Sequence, residues 1–437
     1  MSKGTATVES APRTVVQQVE LSGPLEQLAH VLGLAAVGYD MARVLVRLDE
    51  DPIGMVSIDL HGPLDATSLA ESIWADVGPT VAERRRGRGA PVPDHLSASG
   101  LAPLGTPSST AIRPISVVVA TRDRPSLLRK CLDSLLASDH PDFEILVVDN
   151  APSTTTTAAL VQDVAWNHPN VRYFREDQPG LATAHNAALP HVAHDLVAFT
   201  DDDVIVDPRW LRRVALGFEV APDVACVTGL ILPLELTTSA QHWVEQYANF
   251  SKGFERRIVD LDAAAHDEHH LLPFATGALG SGANMAFTTA FLRDNGGFDD
   301  ALGAGTIARG GDDLAAFFDV LVQGHRLVYE PAAVVMHRHP VDVEHLRRQT
   351  YGYGVGLGAH LTRALARRPE LMRQLPSQLL PGLSHLLSPS SSKNAGKAGD
   401  YPRRLGWLER AGVLAGPLAY ARSRFSRRRP HTPPNSP

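Results

Sequence analysis

Three consecutive aspartates, Asp201, Asp202 and Asp203, close the apolar run DLVAFT. Carboxylates this near one another repel, and a divalent cation neutralises them most effectively. On an extended backbone side chains i and i+2 share a side, so Asp201 and Asp203 can face one hard cation together. Mg²⁺ or Mn²⁺ held by one or two carboxylates completes its shell with phosphate oxygens. An imidazole suits Mn²⁺ as a third ligand. His337 ends the strand-like AAVVMH, and His339 has the same facing parity, so the two compete for that place. A second acidic pair, Asp312 and Asp313, follows Gly310–Gly311 and opens an amphipathic segment. Acids there could cap a helix and would be stabilised by its dipole. HDEHH (266–270) has metal-binding residue types but no apolar framing, and reads as solvated surface.

These residues need a scaffold that brings them together. ISVVVA (115–120), FEILVVD (143–149), VRYF (171–174) and DLVAFT (195–200) have the continuous apolar pattern of strands covered on both faces. RDRPSLLRKCLDSLLAS carries a helical stripe of Leu127, Leu128, Cys131, Leu132, Leu135 and Leu136, and GLATAHNAALPHV reads as a short helix from Gly180 to Pro190. Strands alternating with helices predict an α/β fold with a mostly parallel sheet and a site at the strands' carboxyl ends. Thr121–Arg122–Asp123, Asp149–Asn150 and the aspartate triplet all fall there. SGANMAF (281–287) reads as a further strand. The turn ATRDRPS after the first strand has no glycine, which excludes a GxGxxG dinucleotide fingerprint and a Walker P-loop. The glycines of GYGVGLG (352–358) read instead as close helix packing or a hinge.

The chain has 437 residues, 44% apolar and 20% charged, with a mean hydropathy of −0.08, an ordinary globular balance. It contains no apolar run of 18 residues, and MSKGTATVES has no apolar signal region, so neither a membrane span nor a secretory leader is expected. Two cysteines, Cys131 and Cys226, exclude a disulfide framework and a four-cysteine zinc site, and fit a reducing cytoplasm. The net charge of −7 is uneven. Residues 361–437 hold fourteen Arg or Lys against three acids, a net +11, which leaves −18 on the body. An acidic body excludes a nucleic-acid-binding role, while a basic tail suits peripheral contact with an anionic membrane. Expected boundaries are a disordered 1–20, a small α+β accessory domain at 21–82, an Arg/Gly/Pro/Ser-rich linker at 83–113, a catalytic domain at 114–365 and a helical, then basic, partly disordered tail at 366–437. Pro417 predicts two short amphipathic pieces in that tail rather than one long helix.

PISVVVATRDRP, EILVVDNAPS, GLATAHNAAL, DLVAFTDDD, SGANMAF, GGFDDALG, GGDDLAAFFDVLVQGHRLVYEP and MHRH, in that order, resemble the motif set of family-2 glycosyltransferases of GT-A fold. The resemblance covers about residues 114–360 and is greatest to bacterial enzymes of the cell envelope, including rhamnosyl- and galactofuranosyl-transferase-like ones. It implies a nucleotide-sugar donor and a glycan or lipid-linked acceptor; the cysteine content and the basic tail add the expectation of a cytoplasmic enzyme peripheral on the inner face of the membrane. Thr121, Asp123 and Arg124 would line the nucleotide pocket, although Ala120 and Asp123 stand where the family commonly has Pro and Asn. Asp149 would accept a hydrogen bond from a pyrimidine N3–H. Asn186 would sit near the sugar, and Asp201 and Asp203 would form the DxD pair whose Mg²⁺ or Mn²⁺ His337 completes. Asp313, or failing it Asp312, would be the catalytic base of an inverting displacement.

Arg347 or Arg348 could reach the diphosphate, or simply face solvent. The rival readings are a metal-dependent nucleotidyltransferase, which normally has a Gly-rich basic loop after the first strand, and a catalytically inactive sugar-nucleotide-binding relative. ATRDRP lacks those glycines, and the acids at 201, 203 and 313 are intact.

Overall fold

The computed structural model describes residues 11–104, 112–248, 250–261, 271–374, scattered positions between 381 and 397, and 401–427. HDEHH (266–270) and the Pro-rich end lie outside the described residues. The polypeptide forms two sheets. The first unit contains β1 (Thr14–Glu20), α1 (Glu26–Ala35), β2 (Met41–Leu48), β3 (Asp51–Asp59) and α2 (Ala66–Gly87). β1 runs parallel to β2, and β2 antiparallel to β3. Asp65 starts α2 by accepting hydrogen bonds from the Thr67 and Ser68 N–H groups.

The alternation of β2 and β3 resolves into two buried faces. Val44, Val46 and Val56 pack with Leu28, Leu32, Leu69, Ile73 and Val77 of the helices. Val16 and Leu45, on the other face, pack with Leu230, Leu232 and Val334 of the second unit. The boundaries expected from sequence shift accordingly. Residues 14–20 form β1, because VVQQV finds strand partners on both edges rather than remaining disordered. Much of the expected linker is also ordered. α2 extends to Gly87, Arg85 donates to the Pro91 and Ala102 carbonyls, and Leu96 and Leu101 are buried against the first unit.

The second unit is a nine-stranded sheet of order β11-β13-β9-β12-β7-β4-β5-β6, with β8 paired to β13. Its strands are β4 (Ile115–Thr121), β5 (Phe143–Asn150), β6 (Val171–Glu176), β7 (Leu196–Asp201), β8 (Val204–Val206), β9 (Val224–Pro233), β11 (Arg257–Val259), β12 (Met285–Thr288) and β13 (Arg326–His337). The short β10 (Glu235–Leu236) leaves this unit to pair with β1. The four strands read from sequence, β4 to β7, form the parallel half. β12 lies antiparallel between β7 and β9, so the whole is mixed. SGANMAF divides into a 3₁₀ turn at Gly282–Asn284 and the strand from Met285. Helices α3 (Pro125–Leu136), α4 (Thr156–Asn167), α5 (Leu181–Ala188), α6 (Trp210–Gly217), α7 (Ser239–Ala248), α8 (Thr289–Asp294) and α9 (Asp312–Val322) surround the sheet.

α10 (Val343–Arg367) and α11 (Arg403–Arg427) complete the fold. α11 is one helix running through Pro417, not two pieces, and it is no separable tail. Gly354 and Gly358 of α10 meet Gly412 and Gly416 of α11, both pairs four residues apart, so backbone rests on backbone. A Cβ on Gly354 would strike the Glu409 carbonyl, and one on Gly412 would strike that of Tyr351. Gly356, on another side of α10, rests against Gly310 and Gly311. The GYGVGLG glycines therefore serve helix packing, one of their two expected roles. The buried Asp299 joins the layers by accepting from Arg363 Nε (3.2 Å) and the Tyr420 hydroxyl (3.0 Å).

This packing makes two glycines of α11 behave oppositely. Gly412→Val is expected to cost about 1–3 kcal/mol through overpacking. Gly406→Ala has open space around its Cβ and should be neutral or stabilising by up to about 1 kcal/mol through helix propensity. Urea unfolding of the two variants checks both.

Candidate active site

β7 ends at Asp201, and the chain turns through Asp202 and Asp203 into β8. β8 pairs antiparallel with the end of β13, setting Val204 opposite His337. The Arg338 N–H donates to the Asp203 carbonyl at 3.1 Å and closes the corner. Asp201, Asp203 and His337 thereby converge. Among the described residues they are the one group of three His, Cys, Asp or Glu residues whose potential ligand atoms all lie within 4.8 Å. His337 Nε2 is 3.5 Å from Asp203 Oδ1, a buried oxygen that no hydrogen-bond donor satisfies. Two carboxylates and an imidazole around such an oxygen fit Mn²⁺ or Mg²⁺ as a donor set. His339, the competitor, is fully buried and turned to Glu245, with Nε2 2.8 Å from Oε1.

Asp202, in the turn, is directed to the end of β4. Its Oδ2 accepts from Thr121 Oγ1 at 2.6 Å, and Arg124 Nη2 lies 2.7 Å from its Oδ1. Arg124 also donates to Asp203 Oδ2 at 3.1 Å. Thr121 and Arg124, expected to line the nucleotide pocket, thus also brace the acidic turn. One guanidinium does not cancel three carboxylates. Burial, with Asp203 beside it, pushes Asp201 up to about 7 against the pull of Arg124. Burial does the same to Asp202, also to about 7.

The second acidic pair opens α9. Gly311, at φ +86°, precedes the helix in a left-handed conformation that suits glycine, and Gly356 leaves no room for a side chain there. Asp312 is buried, and its carboxyl is pushed up to about 7 by burial and by Asp313. Asp313 is held by two backbone donors, Gly282 N–H to Oδ2 at 2.9 Å and Leu314 N–H to Oδ1 at 2.8 Å. Neither acid is the N-cap, a position that belongs to Gly311. Burial raises the Asp313 carboxyl too, with the backbone bonds opposing. Gly282 lies in the turn whose Ala283 carbonyl accepts at 2.9 Å from Oγ1 of Thr200, next to Asp201, so one turn links the two acidic groups.

Asp149, one residue before the end of β5, stands opposite Thr121 in the ladder. It is fully buried, Tyr173 donates to its Oδ2 at 3.0 Å, and its Oδ1 has no partner. Burial raises this carboxyl against the bond from Tyr173. Asp123, at φ +53°, accepts from the Ser153 N–H and ties the loop after β4 to that after β5. Asn150 accepts from the Gly180 N–H and donates to the Gln178 carbonyl, fixing the start of α5.

Two expected residues are engaged elsewhere. Both ends of the Asn186 amide are taken by Phe298, Nδ2 donating to its carbonyl and Oδ1 accepting from its N–H, each at 2.8 Å. Arg348 is exposed in the first turns of α10 and lies 3.9 Å from Glu344, which Arg347 also approaches. Gly282, Tyr173 and Glu245 were not singled out from sequence. Gly282 sits in the SGANMAF motif, which could have marked it. Tyr173 and Glu245 lie inside ordinary strand and helix patterns and carry no signal of their own.

The family model "Glycosyltransferase like family 2" matches residues 113–351, more than half of the chain. The pre-mycofactocin glycosyltransferase of Mycobacterium tuberculosis is 28% identical over 249 residues, covering 56% of this chain and 47% of that protein. The O-antigen biosynthesis protein RfbC of Myxococcus xanthus is 29% identical over 207 residues, 43% of this chain and 16% of that protein. The matches thus span less than half the length of either relative. Among solved structures, the mannosyltransferase PcManGT of Pyrobaculum calidifontis, in complex with GDP-Man and Mn²⁺, aligns with a TM-score of 0.44 at 18% identity, over 83% of this chain and 97% of that one. With a matching family model over most of its mixed α/β sheet, the chain belongs to glycosyltransferase family 2 and carries the GT-A fold.

Proposed function

We propose that this chain transfers a sugar from a nucleotide-diphosphate donor to an acceptor hydroxyl, with inversion at the anomeric carbon and with the help of Mg²⁺ or Mn²⁺. The observation that carries this reading is the convergence of Asp201, Asp203 and His337, with the Asp313 carboxylate held by Gly282 of the turn that Thr200, next to Asp201, also binds. Asp201, Asp203 and His337 would hold the cation, which when bound neutralises the charge that the leaving diphosphate gains. Asp313 would take the acceptor proton. Each of its oxygens keeps a further lone pair beyond its backbone bond, so the carboxylate is both positioned and able to accept. Asp149 Oδ1, buried and unpartnered, supports recognition of a base N–H at the carboxyl end of β5. A single displacement needs one base and one stabilised leaving group, whereas a retaining mechanism would need a carboxylate nucleophile at the anomeric carbon. Of the relatives' names, that of the O-antigen biosynthesis protein favours a glycan acceptor of bacterial envelope type, while that of the pre-mycofactocin glycosyltransferase points to a different acceptor.

The reading includes a membrane-surface location. Among the described residues no helix is long and apolar enough to cross a bilayer. α11 nevertheless exposes Trp407, Leu414, Leu418 and Phe425 opposite its glycine face, with Arg403, Arg404 and Arg422 also exposed. An apolar stripe among arginines suits the headgroup layer of an anionic bilayer, at about 1 kcal/mol per basic residue near the surface.

Three outcomes test this function. Asp203→Ala should lose Mn²⁺-dependent binding of UDP or GDP; calorimetry showing undiminished binding would remove Asp203 from the site. Asp313→Asn should bind donor as the native protein does while turnover falls by about 10²–10⁴-fold, since an amide cannot take the proton. Retained turnover would place the base elsewhere, first at Asp312. Replacing Trp407, Leu414 and Leu418 together by serine should abolish co-sedimentation with phosphatidylglycerol vesicles at low salt and leave donor binding intact. Equal co-sedimentation would discard the membrane assignment.

A further inference from the structure

A chain of polar contacts leaves the proposed metal cluster and ends on the accessory unit. His337 Nε2 faces Asp203 Oδ1 at 3.5 Å, and His337 Nδ1 meets His339 Nδ1 at 3.3 Å. His339 Nε2 meets Glu245 Oε1 at 2.8 Å, and Glu245 Oε2 pairs with Arg43 Nη1 of β2 at 3.2 Å. The ring of Phe250 covers both imidazoles, stacked on His339 with centroids 5.5 Å apart and tilted over His337 at 5.8 Å.

The protons in such a chain are not free to choose. An ionised carboxylate only accepts hydrogen bonds, so His339 Nε2 must carry its proton towards Glu245. Ligation of a metal through Nε2 leaves His337 with its single ring proton on Nδ1. His339 Nδ1 is then a bare lone pair. The Nδ1–Nδ1 contact holds only one proton, which must therefore sit on His337. That leaves His337 Nε2 bare, the form in which imidazole can bind a metal, at the atom that faces Asp203.

We propose that Glu245, anchored by Arg43 and acting through His339, is a positioning residue that locks His337 in its Nδ1–H tautomer, and that the accessory unit thereby helps to hold the metal site. His339 is thus assigned the orientation of His337 rather than direct ligation. The first unit gains a role beyond bracing the sheet, since Arg43 lies on β2 and Glu245 on α7 of the catalytic unit. The inference rests on the proposed metal site, yet the tautomer can be read without any metal.

Two measurements on the full chain test it. Long-range ¹⁵N–¹H correlation spectra of the metal-free, ¹⁵N-histidine-labelled protein report which ring nitrogen carries the proton, with His337→Asn identifying the signal. The native protein should show His337 protonated at Nδ1. A His337 protonated at Nε2 overturns the proposal whatever the variants do. Mn²⁺ affinity, followed by electron paramagnetic resonance of the free ion, should fall about 10–100-fold in Glu245→Gln and in His339→Phe, which keeps the ring stacking but removes both nitrogens. Arg43→Met should produce a smaller loss in the same direction. Unchanged Mn²⁺ affinity in Glu245→Gln or His339→Phe, folded by circular dichroism, overturns the proposal; if neither folds, the native tautomer spectrum decides alone. A native protein that binds no Mn²⁺ but shows the Nδ1–H tautomer overturns the metal reading and leaves the proton assignment standing.

Discussion

The short pairing of β8 with the end of β13 is the constraint on which the site depends. Three residues of β8 reverse the chain after the aspartate triplet and bring it against a strand that begins more than a hundred residues later. Without that pairing Asp201 and Asp203 would face solvent, and His337 would be an ordinary strand-end histidine. With it, the acids enter a partly buried corner where their mutual repulsion is no longer relieved by water. Arg124 is shared between Asp202 and Asp203, and with the Thr121 hydroxyl it leaves the three carboxylates without full compensation. The pairing thus sets two carboxylates and an imidazole at one corner, a donor set that suits a divalent cation.

The second acidic pair is positioned by close backbone contact rather than by charge. Asp312 and Asp313 stand at the start of α9 because Gly311 can turn left-handed against Gly356 of α10. α10 is in turn seated on α11 through the Gly354–Gly358 and Gly412–Gly416 pairs. The consequence reaches the basic end of the chain. Far from being an appendage, α11 supports the helix that fixes the proposed base, and its outward face is left free for a surface.

Much of the catalytic unit was legible because its strands are buried on both faces and leave continuous apolar runs, as in ISVVVA and FEILVVD. The DxD pair and the acids at 312 and 313 were legible for a related reason: charges next to such runs stand out. His337 could be separated from His339 only by structure, since strand parity gives both the same side and only the contact of His339 with Glu245 removes it. β1 was missed because VVQQV is too short and polar to declare a strand without its partners β2 and β10. α11 was misread because Pro417 normally interrupts a helix, whereas here the contact of Gly412 and Gly416 with α10 accompanies an unbroken one. The brace from Arg43 to His337 could not be read, since its members are separated by up to about 300 residues and Arg43 and Glu245 belong to no motif.

The central claim is that one divalent cation joins Asp201, Asp203 and His337 to the diphosphate of the donor. It is tested most directly by anomalous diffraction at the manganese edge from crystals grown with Mn²⁺ and UDP, and in parallel with GDP. The account predicts one strong anomalous peak within bonding distance of both aspartates, of His337 Nε2 and of the diphosphate oxygens. A peak at Asp312 and Asp313, or bound nucleotide with no metal between those three side chains and its phosphates, would contradict it.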